Sequence, residues 1–321
     1  MSGLALTLVT KDYDYLAPLA CGDVVAAGLD LKLDRDTSGA LDRTLADSSI
    51  QAGELSLSRH VVRLSEGDRS FVGVPFFAYR AFRQRCFFVR RDSGLRDFKD
   101  LAGRRVGTNE WPATGNTWGR AVLREQGVRI DRLRWWVGSV DGAPSGRSQG
   151  TLPAYVQTAS PDRPLRDMLL EGELDALVCP WPPKGFDEPG SPIVRLVPDY
   201  RTAEQDYYRR TGIYPAHHLF GVRKELYDRA PWVVRGLYLA LEQSKTVWQT
   251  SRRQLAESTP WTLADIEDAT ALIGHDWHAN GFAANRKMLQ AFCDEQLAQG
   301  LTAKPFDITT IFSEFDAVTK Q

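Results

Sequence analysis

Between residues 74 and 91 the sequence reads VPFFAYRAFRQRCFFVRR, which sets Arg80, Arg83, Arg85, Arg90 and Arg91 among six aromatic residues. Basic and aromatic side chains in alternation suit a groove for single-stranded nucleic acid, or a pocket for a small aromatic acid. The charge of the whole chain separates the two. Lys and Arg number 40 against 41 Asp and Glu, a formal charge of −1, so no global positive field is available to hold a polyphosphate. Nucleic acid is therefore not expected as a partner, and the arginines are read as serving something small.

Other residues of chemical interest fall in four short stretches. In RRVGTNEWPATGNTWGRAVL a strand ends near Thr108 and a helix begins at Pro112 to Thr114. The N–H groups of its first turn could receive a carboxylate or phosphate, while Thr114 could equally be only an N-cap. Glu110, just ahead of the helix, could give or take a proton. In TGIYPAHHLFGVRKEL, after Tyr214, residues His217 and His218 open a strand and so point to opposite faces. Only one of them can face a ligand, and a histidine titrates in the range proton transfer requires. SLSRHV places Ser58, Arg59 and His60 after a small polar loop. In GHDWH, His275 and His278 would face one metal if helical, but no H-E-x-x-H accompanies them and no metal or other cofactor is expected. G-x-S-x-G, P-loop and strand-linked G-x-G-x-x-G patterns are absent, which removes the common hydrolase, nucleotide and dinucleotide readings.

The elements around these residues alternate between β and α patterns. LALTLV leads into DYLAPLACG, RRVGT into TGNTWGRAVLREQG, PLRDMLLEGEL into DALVCP, and HHLFGV into a long helix. In that helix Val234, Leu237, Leu241, Lys245 and Trp248 recur at three- and four-residue spacing, as one buried face demands. The pattern predicts an α/β fold with largely parallel sheets. With 321 residues, two domains are expected: residues 1–103 with 217–321 as a discontinuous lobe, and 104–216 as a second, with the ligand cleft between them. SVDGAPSGRSQG, residues 139–150, reads as the clearest flexible loop. Four widely spaced cysteines with no C-x-x-C fit a reducing compartment. The N-terminus reads as a strand and not as a signal peptide, and no run is long and apolar enough to span a membrane. A cytoplasmic two-lobed binder of a small anion, with no membrane partner, is the expectation, and a homo-oligomer is left open.

SEGDRSFVGVPFFAYRAFRQR, RRVGTNEWPATGNTWGRAVL, RLVPDYRTAEQDYYRRTGIYPAHH and GFAANRKML resemble, in order, segments of the 4,5-dihydroxyphthalate decarboxylase family. The likeness runs nearly end to end, and residues 195–218 carry its most specific part. Glu54, Ser56, Ser58, Arg80, Phe82, Arg83, Glu110, Thr114, Trp118, Tyr207, Tyr208 and His218 match the family pattern, as do Asp276, Asn285 and Arg286. Departures at His60, Gln84, HDWHANG and the KDYDYLAPL loop fall where substrate would lie. The resemblance implies a type 2 periplasmic-binding-protein-like fold and non-oxidative loss of CO₂ from a hydroxylated aromatic acid, without a redox cofactor. It makes Arg80 and Arg83 the carboxylate anchors through their bidentate forks. His218, His60 and Glu110 become the proton-transfer candidates, with Ser58, Thr114, Trp118, Tyr214 and His217 around the substrate. The rival expectation is a solute-binding protein of a transporter for a small carboxylate, which shares the fold and the arginines.

Overall fold

The apolar runs read as strands assemble into two separate sheets, one in each of two units of the chain. The structure, a computed structural model, describes residues 3–36, 39–142, 149–254 and 259–319. Its strands are β1 (Leu4–Thr10), β2 (Leu29–Arg35), β3 (Ala52–Ser56), β4 (Phe71–Arg80), β5 (Phe87–Arg90), β6 (Arg105–Thr108), β7 (Arg134–Val137), β8 (Val156–Thr158), β9 (Ala176–Val178), β10 (Ile193–Arg195) and β11 (Ala216–Arg223).

The first unit comprises Met1–Arg80, Ala216–Ala291 and Phe306–Gln321. Its sheet runs β2-β1-β3-β11-β4, with β1 parallel to β2 and β3, and β11 antiparallel to β3 and β4. The helix Trp232–Gln254 buries Val233, Val234, Leu237, Ala240, Leu241, Ser244 and Lys245, the face its periodicity predicts. Nearly every residue of β4 is buried, but Pro75 lacks the N–H a ladder needs. The β11–β4 register slips there, from Phe220 opposite Val74 to His218 opposite Tyr79. The backbone freed by the bulge finds other partners. Pro75 O accepts from Gly281 N at 2.8 Å, Phe77 N donates to Asn280 Oδ1 at 2.8 Å, and Ala78 O accepts from Tyr15 Oη at 2.6 Å. The bulge thus ties the strand end that carries Tyr79 and Arg80 to the loop before helix Phe282–Ala298.

The second unit comprises Ala81–Pro215 and Phe292–Pro305. Its sheet runs β10-β5-β9-β6-β7-β8, with β6 parallel to β7 and β9, β7 parallel to β8, and β5 antiparallel to β9 and β10. Trp111, Trp135, Phe87, Leu123 and Val106 fill its core. Arg120, on the helix Thr114–Glu125, is fully buried; its guanidinium lies 3.8 Å from the Trp111 ring centre and its Nε donates to Gln299 Oε1 at 2.7 Å.

Three expectations are corrected. The boundary expected after residue 103 falls after Arg80, because β5 pairs with β9 of the second sheet. Residues 292–305 also belong to the second unit, fastened through Gln299. Both sheets are mixed, because the strands flanking the crossings run antiparallel to their neighbours. Residues 143–148 of the expected flexible loop lie outside the described residues.

Candidate functional site

The first unit gathers acid–base groups around Glu54. This residue lies mid-strand on β3 with its side chain fully buried. His218 of β11 sits opposite Ser56, one alternation from Glu54, so the two side chains share a face of the sheet. The Nδ1 of His218 bonds Glu54 Oε1. Tyr13 Oη donates to the same oxygen at 2.6 Å, and Lys11 N–H donates to Oε2 at 2.9 Å. Burial alone would raise the Glu54 carboxyl, but the His218 ring, the Tyr13 hydroxyl and the Lys11 N–H together hold it below the usual carboxylate range. Glu54 is therefore a carboxylate at neutral pH. His218 itself is only partly covered, with 14% of its side chain exposed.

Aromatic rings fix this group laterally. Tyr13 stacks on Tyr15 with ring centres 5.3 Å apart and 9° between planes, and lies 6.4 Å from Tyr79 at 19°. Tyr79 in turn meets His217 at 5.3 Å and His218 at 5.6 Å. His217 is buried, so His218 is the more exposed of the adjacent histidines.

Arg80 and Arg83, expected as a pair of anchors, belong to different units. Arg80 Nη2 donates to Ala279 O at 2.8 Å and to Asn285 Oδ1 at 2.5 Å. Both bidentate edges of a guanidinium include Nη2, so neither edge of Arg80 can grip a carboxylate without breaking these bonds. Arg80 is a structural clamp on the loop before helix Phe282–Ala298. In the second unit the buried Arg83 guanidinium lies on the first turn of helix Thr114–Glu125. A Cβ placed on Gly115 would come within 2.9 Å of its Nη2.

The remaining expected residues divide. Ala113, not Thr114, is the N-cap of that helix, and no side chain caps it; Thr114 is the first helical residue and is buried. Glu110 is buried, and its carbonyl accepts from Asn116 Nδ2 at 2.7 Å. Trp118 packs on Phe292 at 5.1 Å, and Tyr214 on Phe82 at 4.9 Å. Ser58 is buried in the first turn of helix Leu57–Ser65, whose N-cap is Ser56. His60 on the same helix does not join the Glu54 group. Burial pushes its ring down to about 4, so it is neutral at pH 7 and holds no proton to give as an imidazolium. His275 and His278 lie in a loop, not a helix, and His278 Nε2 bonds Phe77 O at 2.7 Å, so the condition for a metal pair is not met. Tyr13 and the pairing of Glu54 with His218 go beyond the proton-transfer residues expected from sequence. Two signals pointed there: a glutamate flanked by Gly53 and Leu55 inside the AGELS strand, and the polar–aromatic KDYDY loop that follows β1.

No family model matches the chain. The 4,5-dihydroxyphthalate decarboxylase of Comamonas testosteroni is 32% identical over 321 residues, covering 97% of each chain. The protein of the same name from Pseudomonas putida is 32% identical over 216 residues, 65% of this chain and 83% of that one. Among solved structures, the periplasmic aliphatic sulphonate binding protein SsuA of Escherichia coli matches with a TM-score of 0.54 at 13% identity, over 96% of this chain and 91% of that one. The alkanesulfonate-binding protein SsuA of Xanthomonas axonopodis pv. citri matches at 0.53 and 14%, over 97% and 98%. The desulfurization enzyme DSZB matches at 0.51 and 15%, over 99% of both. The fold is thus periplasmic-binding-protein-like, a scaffold that carries binding proteins and at least one enzyme. With 32% identity along nearly the whole of both sequences, the chain belongs to the 4,5-dihydroxyphthalate decarboxylase family, a family of carboxy-lyases.

Proposed function

We propose that the protein catalyses non-oxidative decarboxylation of a hydroxylated aromatic carboxylic acid, with 4,5-dihydroxyphthalate as the leading substrate. The observation that carries the reading is the partly exposed His218 backed by the buried carboxylate of Glu54. In such a substrate each carboxylate has a hydroxyl para to it, which pushes electron density onto the carbon that bears the carboxylate. His218, held through Nδ1, delivers a proton from Nε2 to that carbon. The C–CO₂ bond then breaks, its electron pair returns to the ring, and CO₂ leaves. Aromaticity is restored, and 4,5-dihydroxyphthalate becomes 3,4-dihydroxybenzoate. The neutral His218 regains a proton from solvent. One proton is consumed and no electron changes hands, so the step calls for no redox cofactor. Glu54 keeps the ring oriented and stabilises its charged form, the role a buried carboxylate plays behind a catalytic histidine. Arg83 is offered as a carboxylate-binding residue on its match to the family pattern and its bidentate fork.

The test is a panel of hydroxylated benzoates and phthalates, followed for released CO₂ and for binding in parallel. Release of CO₂ from a substrate with a hydroxyl para or ortho to the departing carboxylate is the expected result. Tight binding across the panel with no CO₂ from any member would instead make the protein a solute-binding member of the fold.

A further inference from the structure

Two donors meet on one oxygen of Glu54. His218 Nδ1 and Tyr13 Oη both bond Oε1, the tyrosine at 2.6 Å, while the other oxygen has its own donor in Lys11 N–H at 2.9 Å. The aim of Tyr13 is set by its surroundings. Its ring lies flat against Tyr15, whose own hydroxyl is pinned to Ala78 O at 2.6 Å and whose ring meets His278 at 76° with centres 5.1 Å apart. Burial and the Glu54 charge push the Tyr13 hydroxyl well above the usual phenol range, so it stays protonated and acts as a donor.

A carboxylate oxygen that already accepts one hydrogen bond offers less charge to a second donor. A lone buried carboxylate would hold the second proton of His218 tightly and make the ring a poor acid. We propose that Tyr13 is a positioning residue of this site, which acts through Glu54 to loosen its hold on the second proton of His218 so that the ring can release it. This deepens the decarboxylase reading and rests on it for the fate of the proton, but not for the coupling itself. Glu54, Tyr13, Tyr79 and His217 are among the titratable side chains packed about the ring, with Tyr15 and Asp14 behind them.

The coupling is read directly by a histidine NMR titration of isotope-labelled protein, with His218→Gln used to assign one resonance among the five histidines. A hydrogen bond to a charged acceptor is strong enough that in Tyr13→Phe the His218 midpoint should move up by about one pH unit. The alkaline limb of the pH–rate profile should move with it. Tyr15→Phe is the control: it removes a hydroxyl from the same stack that bonds a backbone carbonyl, and should leave the midpoint in place. An unchanged or lowered midpoint in folded Tyr13→Phe, or an equal shift in Tyr15→Phe, overturns the inference. If no hydroxylated aromatic acid is decarboxylated, the functional reading fails while the titration still decides the coupling.

Discussion

Replacing Glu54 by glutamine keeps the shape of the side chain and removes the charge that His218 faces. Glu54 is fully buried and takes bonds from His218, Tyr13 and the Lys11 N–H, so no solvent stands ready to replace what is lost. A hydrogen bond to a charged group contributes roughly 1.5–3 kcal/mol, which corresponds to roughly a ten- to hundredfold smaller protonated fraction of His218 near neutral pH. Turnover should fall by that factor, while affinity for an aromatic acid is largely kept. The amide has one acceptor oxygen where the carboxylate has two, so stability should also drop by about 1–3 kcal/mol. The assay is single-turnover CO₂ release, with calorimetric binding and denaturant unfolding on the same preparation. Glu54→Asp, which keeps the charge on a shorter arm, should recover part of the rate. Wild-type turnover in a folded Glu54→Gln protein would refute the role given to the pair.

Arg83→Lys should weaken ligand affinity by about tenfold or more as the bidentate fork is lost. Arg80→Lys should instead cost about 1–3 kcal/mol of stability with little change in affinity, because its bonds go to Ala279 O and Asn285; calorimetry and denaturant unfolding on both variants decide, and the reverse pattern would restore Arg80 as the anchor. Gly115→Ala should displace the Arg83 guanidinium and weaken binding in titration calorimetry, although alanine favours the helix by roughly 1 kcal/mol. Stability should decline between pH 7 and pH 5, because His60 and His278, pushed down to about 4 and about 3 mainly by burial, stay neutral in the folded protein while they protonate near 6.5 when unfolded. The unfolded chain then binds more protons, so stability is full above the unfolded value and is lost as pH falls, by roughly 2 kcal/mol for each ring at pH 5. Urea midpoints should show this, with a shallower dependence in His60→Gln; a flat profile would contradict it.

The strands and the long helix were legible because their apolar spacing is what burial requires. The buried face of Trp232–Gln254 matches its sequence periodicity from Val234 to Lys245. Which sheet a strand joins is not written in its own residues. CFFV would suit either sheet, and it is pairing with Ala176–Val178 that draws Phe87–Arg90 into the second unit. The candidate site residues divided in the same way. The resemblance and the alternation of HH together pointed to His218, whereas the glutamate behind it comes from a strand 164 positions away, and neither residue type announces that pairing. Arg80 and Arg83 look equivalent in YRAFR. Only the partners supplied by the Ala279 to Asn285 segment, drawn in by the bulge at Pro75, show that the first is already engaged.

Whether His218 supplies the proton that replaces the carboxylate is decided with 4,5-dihydroxyphthalate and two proteins, the wild type and His218→Gln. CO₂ release and ligand affinity are measured on each. A positioned general acid contributes roughly a hundred- to ten-thousandfold in rate. His218→Gln should therefore bind the acid nearly as well as the wild type and release CO₂ slower by a factor in that range. Equal rates from the two folded proteins would remove His218 as the proton donor.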